Sequence, residues 1–208
     1  MKRLCIICEG KTESEFVRDC LGPHLLTQNI LVAHHPIIGR TINIDRIVRH
    51  IRNEYRDFDH ITTLVDYYGF GDQQGRSKAE LESEILSRAA ASIGGFDPRR
   101  VIPYIQMHEF EALLFSDIEE FKWIVDGWNQ QAKRDLLAVR NSIDTPEEIN
   151  NNPNTAPSKR LAKIFPGYED IKAEYGPIIA SEIGLAKIRA ECPLFNDWLT
   201  HLENLDQR

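Results

Sequence analysis

Cysteine is scarce in this chain: Cys5, Cys8, Cys20 and Cys192 are four residues in 208. That density cannot frame a disulfide-built fold and suits a reducing compartment, so a cytoplasmic location is expected. Positive charge is also short, with 25 Lys plus Arg against 32 Asp plus Glu and a formal net charge of −7. Proteins that coat nucleic acid without selectivity neutralise phosphates with Lys and Arg, so this balance excludes that class and leaves room for a local basic patch. No run approaches the ~20 apolar residues of a membrane span, and no membrane partner is expected. The basic start Met1-Lys2-Arg3 leads into an apolar stretch that stops at Glu9, short of the h-region expected of a signal peptide. Low-complexity composition is missing as well. At 42% hydrophobic and 27% charged, the chain is expected to bury a full core. Cys5 and Cys8 share the C-x-x-C spacing of redox sites, yet Arg3-Leu4-Cys5-Ile6-Ile7-Cys8 reads as a buried strand with structural thiols.

Through the first half, apolar runs of strand length alternate with amphipathic helical patterns, the order of a parallel sheet covered by helices. Strands are expected over residues 2–8, 30–38, 60–65 and 101–107. Thr12, with Glu15 three residues on, predicts a capped helix that Gly22-Pro23 should interrupt or bend. A second helix is expected after Asn43, through Ile44, Ile47, Val48 and Ile51, and a third from Ser77 with Glu80. Beyond Phe115 the periodicity is helical. Helices are expected over residues 156–164, 178–191 and 195–205, separated by Pro166-Gly167, Gly176-Pro177 and Pro193. The fold class is therefore α/β. A mostly parallel sheet of about four strands flanked by helices occupies residues 1–115, and residues 116–208 form a helical appendage packed on it as one structural unit.

In such a sheet, functional groups gather at the carboxyl ends of the strands. The first strand runs into Glu9, with Glu13 four residues later; the third runs into Asp66, and the fourth into His108-Glu109-Phe110-Glu111. Carboxylates from separate strand ends repel one another unless a cation or proton neutralises them, and Mg²⁺ or Mn²⁺ is the economical answer. Such ions leave room for phosphate oxygens and support phosphodiester cleavage. Each acid also has a plainer reading as a cap or solvated loop residue. Glu13 suits a first helical turn, Asp72 a Gly-flanked turn, and Glu111 an exposed helical step. His108 could be a base, a ligand or a structural hydrogen-bonding group. Lys159, Arg160 and Lys163 follow Pro157 and are candidates for phosphate contact or for a solvated basic face. Lys11 sits between the two glutamates in a turn that is not a Walker A loop. Tyr67, Tyr68 and Phe70 can stack bases or pack beneath their loop. His34 and His35 point to opposite faces of their strand and make poor joint ligands.

Three stretches carry a family resemblance: Cys8-Glu9-Gly10-Lys11-Thr12-Glu13-Ser14-Glu15-Phe16-Val17, Val65-Asp66-Tyr67-Tyr68-Gly69-Phe70, and His108-Glu109-Phe110-Glu111-Ala112-Leu113-Leu114-Phe115-Ser116-Asp117. Together they resemble a Toprim-like bacterial family catalogued as domain of unknown function 4276. The likeness continues through Pro157-Ser158-Lys159-Arg160-Leu161 and Cys192-Pro193 to Trp198, nearly the whole chain. It implies a Toprim-like sheet and the activity of AriB-type effectors, which are anti-phage defence nucleases paired with an ABC-type ATPase, transfer RNA being one substrate. Toprim enzymes of topoisomerases, primases and overcoming-lysogenization-defect nucleases hold Mg²⁺ with a glutamate after strand one and a D-x-D after strand three. By that likeness Glu9 and Glu13 are the paired glutamates, Asp66 is the first aspartate, and Glu109 or Glu111 is the later acid. The implied metal set is Glu9, Asp66, Glu109, Glu111 and Asp72, with Lys159 near the scissile phosphate. Tyr68 stands where the second aspartate belongs, so either Asp72 substitutes or one ion binds firmly. DNA and RNA both remain open as substrate, and so does pairing with a second copy. The competing readings are a non-catalytic docking subunit for an ATPase and a phosphotransfer or small-molecule hydrolase using the same acids.

Overall fold

Five consecutive buried residues, Leu4 to Cys8, leave the first strand no face for water, the pattern of a strand covered on both sides. In the computed structural model, which describes residues 1–37, 41–71, 75–124, 126–149 and 155–205, this is β1 (Lys2–Cys8). It pairs in parallel with β2 (Ile30–Pro36) on one side and β3 (His60–Asp66) on the other. Two short strands, β4 (Val101–Ile102) and β5 (Ile105–Gln106), also pair with β3 in parallel, and the order is β2-β1-β3-β4. The single strand expected over 101–107 is thus split. Pro103 has no N–H to give the ladder, and side chains take its place. The Thr63 hydroxyl accepts the Tyr104 N–H at 2.8 Å and donates to the Tyr104 carbonyl at 2.7 Å. Next to it the Thr62 hydroxyl donates to the Ile102 carbonyl at 2.5 Å, and the Glu82 carboxylate takes the Ile105 N–H at 2.9 Å.

The first helical segment departs from expectation twice. Its cap is Gly10 rather than Thr12: the Glu13 carboxylate accepts the Gly10 N–H at 2.8 Å, and α1 runs Lys11–Phe16. Gly22-Pro23 does not stop the chain either. A π-helical turn, Val17–Leu21, intervenes before α2 (Gly22–Thr27), so Pro23 falls in the first turn of the new helix, where a missing N–H costs little. Helix α3 (Ile44–Glu54) is capped by Asn43, whose side chain accepts the Arg46 N–H, and α4 (Lys78–Ser92) by Ser77 with Glu80, as their sequences suggest. Their buried stripes, Ile44, Ile47, Val48 and Ile51 with Leu81, Ile85 and Ala89, cover the sheet face that carries Cys5, Ile7 and Val65.

The opposite face, with Leu4, Ile6, Cys8 and Leu64, is covered by α1, α2 and the C-terminal half. There the chain makes 3₁₀ turns at Phe110–Ser116 and Ile118–Trp123, then α5 (Gln130–Arg140), α6 (Pro157–Ile164), α7 (Tyr168–Ile183), α8 (Leu185–Glu191) and α9 (Pro193–Glu203). The break expected at Gly176-Pro177 is absent. Helix α7 passes through both residues and ends at Gly184, whose φ of 78° a side chain would resist. Gly176 is needed inside the helix because a Cβ there would lie 3.1 Å from Thr12 of α1 and 3.4 Å from the Phe110 ring. Packing of α7 against α1 therefore overrides the local helix-breaking preference of Gly and Pro. Phe16, Phe110, Phe165 and Trp198 belong to one continuous core, shared by the sheet and the C-terminal helices. Trp198 stacks on Tyr104 with ring centroids 4.4 Å apart and donates its indole N–H to Thr62 at 2.8 Å. All four cysteines are free thiols, and Cys5 and Cys8 are buried on opposite faces of β1. Among the described residues, no helix is long and apolar enough to cross a membrane.

Thr63→Val keeps the side-chain shape and removes the hydroxyl that serves both the N–H and the carbonyl of Tyr104. Urea denaturation should show a loss of roughly 1–3 kcal/mol, the cost of leaving buried backbone groups unpaired. An unchanged midpoint would mean that water reaches the Pro103 break.

A candidate carboxylate centre at the strand ends

Glu9 extends β1 by one residue, its N–H donating to the Leu64 carbonyl at 3.0 Å. Its carboxylate then crosses to the end of β3 and accepts the Asp66 N–H at 2.8 Å. The loop after β3 folds over this carboxylate so closely that a Cβ on Gly69 would stand 2.3 and 2.5 Å from its two oxygens. Any side chain there would push the Glu9 carboxylate aside. Asp66 closes β3 with Oδ1 shut off from solvent and, among the described residues, without a hydrogen-bond partner. Glu13, buried in α1, is held by the Gly10 N–H. Glu109 caps the turn at Phe110–Ser116, and its carboxylate accepts the Ser158 N–H at 2.8 Å from the first turn of α6. Glu111 is buried inside that turn, with Lys172 Nζ of α7 at 3.7 Å from its Oε1. His108 adopts a φ of 63°, and its carbonyl accepts the Tyr68 N–H at 3.1 Å, which ties the loops after β3 and β5 together.

The electrostatics follow from this crowding. Burial pushes the Glu13 carboxyl up to about 7, with repulsion from Glu9 adding to it and the amides of the first turn opposing. Burial also pushes Glu111 up to about 7; Lys172 opposes this, and Glu109 and Glu13 reinforce it. Asp66 is held well above the usual carboxylate range by burial and then by Glu9, Glu13, Glu111 and Glu109. Glu9 is raised as well, chiefly by burial. For Lys172, burial disfavours the ammonium, but Glu111, Glu169, Glu109 and Asp66 outweigh it and hold its pKa above the ordinary value. The five acids thus share one patch of negative potential faced by Lys172. They do not close into a cage: among the described residues, three ligating atoms come within 4.8 Å of one another at Cys5, His35 and Glu54, not here.

The basic residues singled out in the sequence are distributed differently. Lys159 is exposed and bonds Glu169 at 2.6 Å, so the cation that faces the acids is Lys172, which carries no motif of its own. It lies one helical turn before Gly176 on the α7 face that meets α1 and Phe110, and that close packing is what delivers it. Arg160 donates to the Thr155 carbonyl at 2.8 Å, Lys163 is exposed one turn along α6, and Lys11 is exposed at the start of α1. Phe70 is packed into the core and the Tyr67 hydroxyl donates to the Arg76 carbonyl, while the Tyr68 ring lies 5.2 Å from that of His108. Asp72 lies outside the described residues. His34 and His35 do face opposite sides, His34 toward Ser14 and His35 toward Glu54.

Residues 8–203 match the family described as "Domain of unknown function (DUF4276)". Comparison with curated proteins finds no match. Among solved structures, the chain is similar to the C-terminal region of the Xanthomonas campestris pv. campestris OLD protein. The iodine-phased form has 16% identity over 98% of this chain and 95% of that one, with a TM-score of 0.44. The platinum-phased form has 15% identity over 100% and 98%, with a TM-score of 0.45.

Because Glu13 and Glu111 titrate near 7 when folded and near 4.5 otherwise, the folded chain binds more protons than the unfolded one across that interval. Stability without divalent ions should therefore fall as pH rises from about 4.5 through about 7 and level off above it. Melting curves across this window should show that slope, and Glu111→Gln should flatten it. Millimolar Mg²⁺ or Mn²⁺ should raise the melting temperature most at the alkaline end. A pH-independent melting temperature in the wild-type chain would mean that neither burial nor repulsion raises these two carboxyls.

Proposed function

We propose that this chain, which belongs to the DUF4276 family, is a divalent-metal-dependent hydrolase of nucleic-acid phosphodiesters. The observation that carries the reading is the convergence of Glu9, Glu13, Asp66, Glu109 and Glu111 from three strand ends around a buried Asp66 oxygen that none of the described residues satisfies. An all-oxygen donor set suits a hard ion such as Mg²⁺ or Mn²⁺. Glu9, Asp66 and Glu109 would hold it, with Glu111 in reserve, and bound there it supplies charge neutralisation at phosphate oxygens. The chain's own groups account for the rest. Glu13, with a carboxyl near 7, is suited to take a proton from a water, and Lys172 to offset charge developing on the phosphate. Tyr68 beside His108 offers a surface for base stacking. Lys11 and Lys163 are exposed toward backbone phosphates, and Lys159 and Arg160 would exchange Glu169 and the Thr155 carbonyl for them. With Tyr68 in place of a second aspartate, one firmly held ion is the simpler arrangement. The family resemblance further supports a role as an effector in antiviral defence, held inactive by an ABC-type ATPase partner.

A second reading, a docking subunit without catalysis, draws on two observations: Tyr68 itself, and carboxylates that stand too far apart to enclose an ion without moving.

The two readings part at Glu9→Gln and Asp66→Asn, which preserve volume and remove an anionic oxygen. With transfer RNA and single- and double-stranded DNA as substrates in Mg²⁺ or Mn²⁺, each variant should lose at least about a hundredfold in cleavage. Tyr68→Phe should retain most of it. Folded Glu9→Gln and Asp66→Asn variants with wild-type toxicity in cells would leave docking as the function.

Gly69→Ala offers an independent check. Its methyl would displace the Glu9 carboxylate, so cleavage should fall alongside Glu9→Gln while the melting temperature changes little, since the loop is partly exposed. Full activity in Gly69→Ala would take Glu9 out of the site.

A further inference from the structure

Four residues before Glu9, on the face of β1 covered by α3, three side chains of different chemistry meet. Cys5 is fully buried in the middle of the strand. The parallel register pairs Cys5 with Ala33 and Ile7 with His35, so His35 of β2 is the diagonal neighbour of Cys5 on the same face. Glu54, the last residue of α3, comes down over both and places Oε1 3.1 Å from His35 Nδ1. The thiol sulfur, an imidazole nitrogen and a carboxylate oxygen all lie within 4.8 Å of one another. One turn back on α3, four residues before Glu54, His50 is half-buried and interacts electrostatically with both Glu54 and His35. A His–Glu ion pair needs no sulfur beside it, and a buried cysteine that packs as a small hydrophobe needs no imidazole and carboxylate closing on it from two other elements.

We propose that Cys5, His35 and Glu54 form a binding site for a borderline transition ion of the Zn²⁺ class, with water completing the shell. The mixed sulfur, nitrogen and oxygen set favours such an ion over Mg²⁺, which prefers oxygen alone. In a tetrahedral shell the donors stand roughly 3.3–3.8 Å apart, and the three atoms here, within 4.8 Å of one another, are near that spacing. Binding expels the thiol proton to solvent and forms a metal–sulfur bond without a change in oxidation state. The ion would join β1, the edge strand β2 and the C-terminus of α3, four residues before Glu9, and so brace the strand that carries the first acid of the carboxylate centre.

Co²⁺ and Zn²⁺ titrations of the full chain test this separately from nuclease activity. One equivalent of Co²⁺ should produce a thiolate-to-metal absorption in the near ultraviolet that Zn²⁺ displaces and Mg²⁺ does not. Cys5→Ala should abolish that band and Cys8→Ala should keep it. His35→Asn and Glu54→Gln should each weaken Zn²⁺ binding at least about tenfold. Co²⁺ bound with no thiolate absorption, or a band that survives Cys5→Ala, would overturn the site. If Cys5→Ala does not fold, unchanged Zn²⁺ affinity in His35→Asn overturns it instead. Cleavage activity enters none of these readouts, so the failure of one site leaves the other standing.

Discussion

Like-charge repulsion among five acids at one edge of the sheet is the constraint around which the rest of the structure is arranged. Three of the five carboxylates are held by a backbone amide: Glu9 by Asp66, Glu13 by Gly10, Glu109 by Ser158. Those amides come from the end of β3, the start of α1 and the start of α6, so three elements must converge for the acids to be tolerated at all. Lys172 supplies compensating charge, and it reaches Glu111 because Gly176 lets α7 lie against α1 and Phe110. The paired turns after β3 and β5, joined through the His108 carbonyl, keep Asp66 and Glu109 from moving independently. The site is therefore a property of the whole molecule, including the C-terminal helices, rather than of the sheet alone.

Much of this was legible in the sequence where local chemistry decides. The extent of β1, the Asn43 and Ser77 caps and the acids after strands one, three and four follow from short-range patterns that the surrounding structure leaves alone. The misreadings share one cause, long-range packing overriding a local rule. Pro177 sits inside α7 because Gly176 gains a close helix contact, and Pro23 is accommodated by a π turn that no periodicity announces. Pro103 splits a strand whose lost hydrogen bonds return from threonine side chains on a neighbour. Lys172 was invisible for the same reason: Lys159 had the motif, and Lys172 had only its position on a helix face defined by tertiary contact.

Strand β1 carries two donor sets of different hardness. Glu9, at its carboxyl end, belongs to an all-oxygen group, whereas Cys5, four residues earlier and on the α3 face, meets nitrogen and oxygen. Position along the strand rather than alternation separates the two: Cys5 lies under α3 in mid-strand, and the Glu9 carboxylate turns across the end of β3 to the Asp66 N–H.

The interruption at Pro103 bears on how this molecule meets copies of itself. A sheet border with a continuous row of free amides invites another chain to add a strand, the first step toward aggregation. Here the border beyond β3 consists of two dipeptide strands separated by a proline, with the Tyr104 amide committed to Thr63 and the Ile105 amide to Glu82. An incoming strand would find no register longer than two residues and a partly buried Lys78–Glu82 ion pair to displace. The same residues that repair the ladder internally also close this side of the sheet to intermolecular growth.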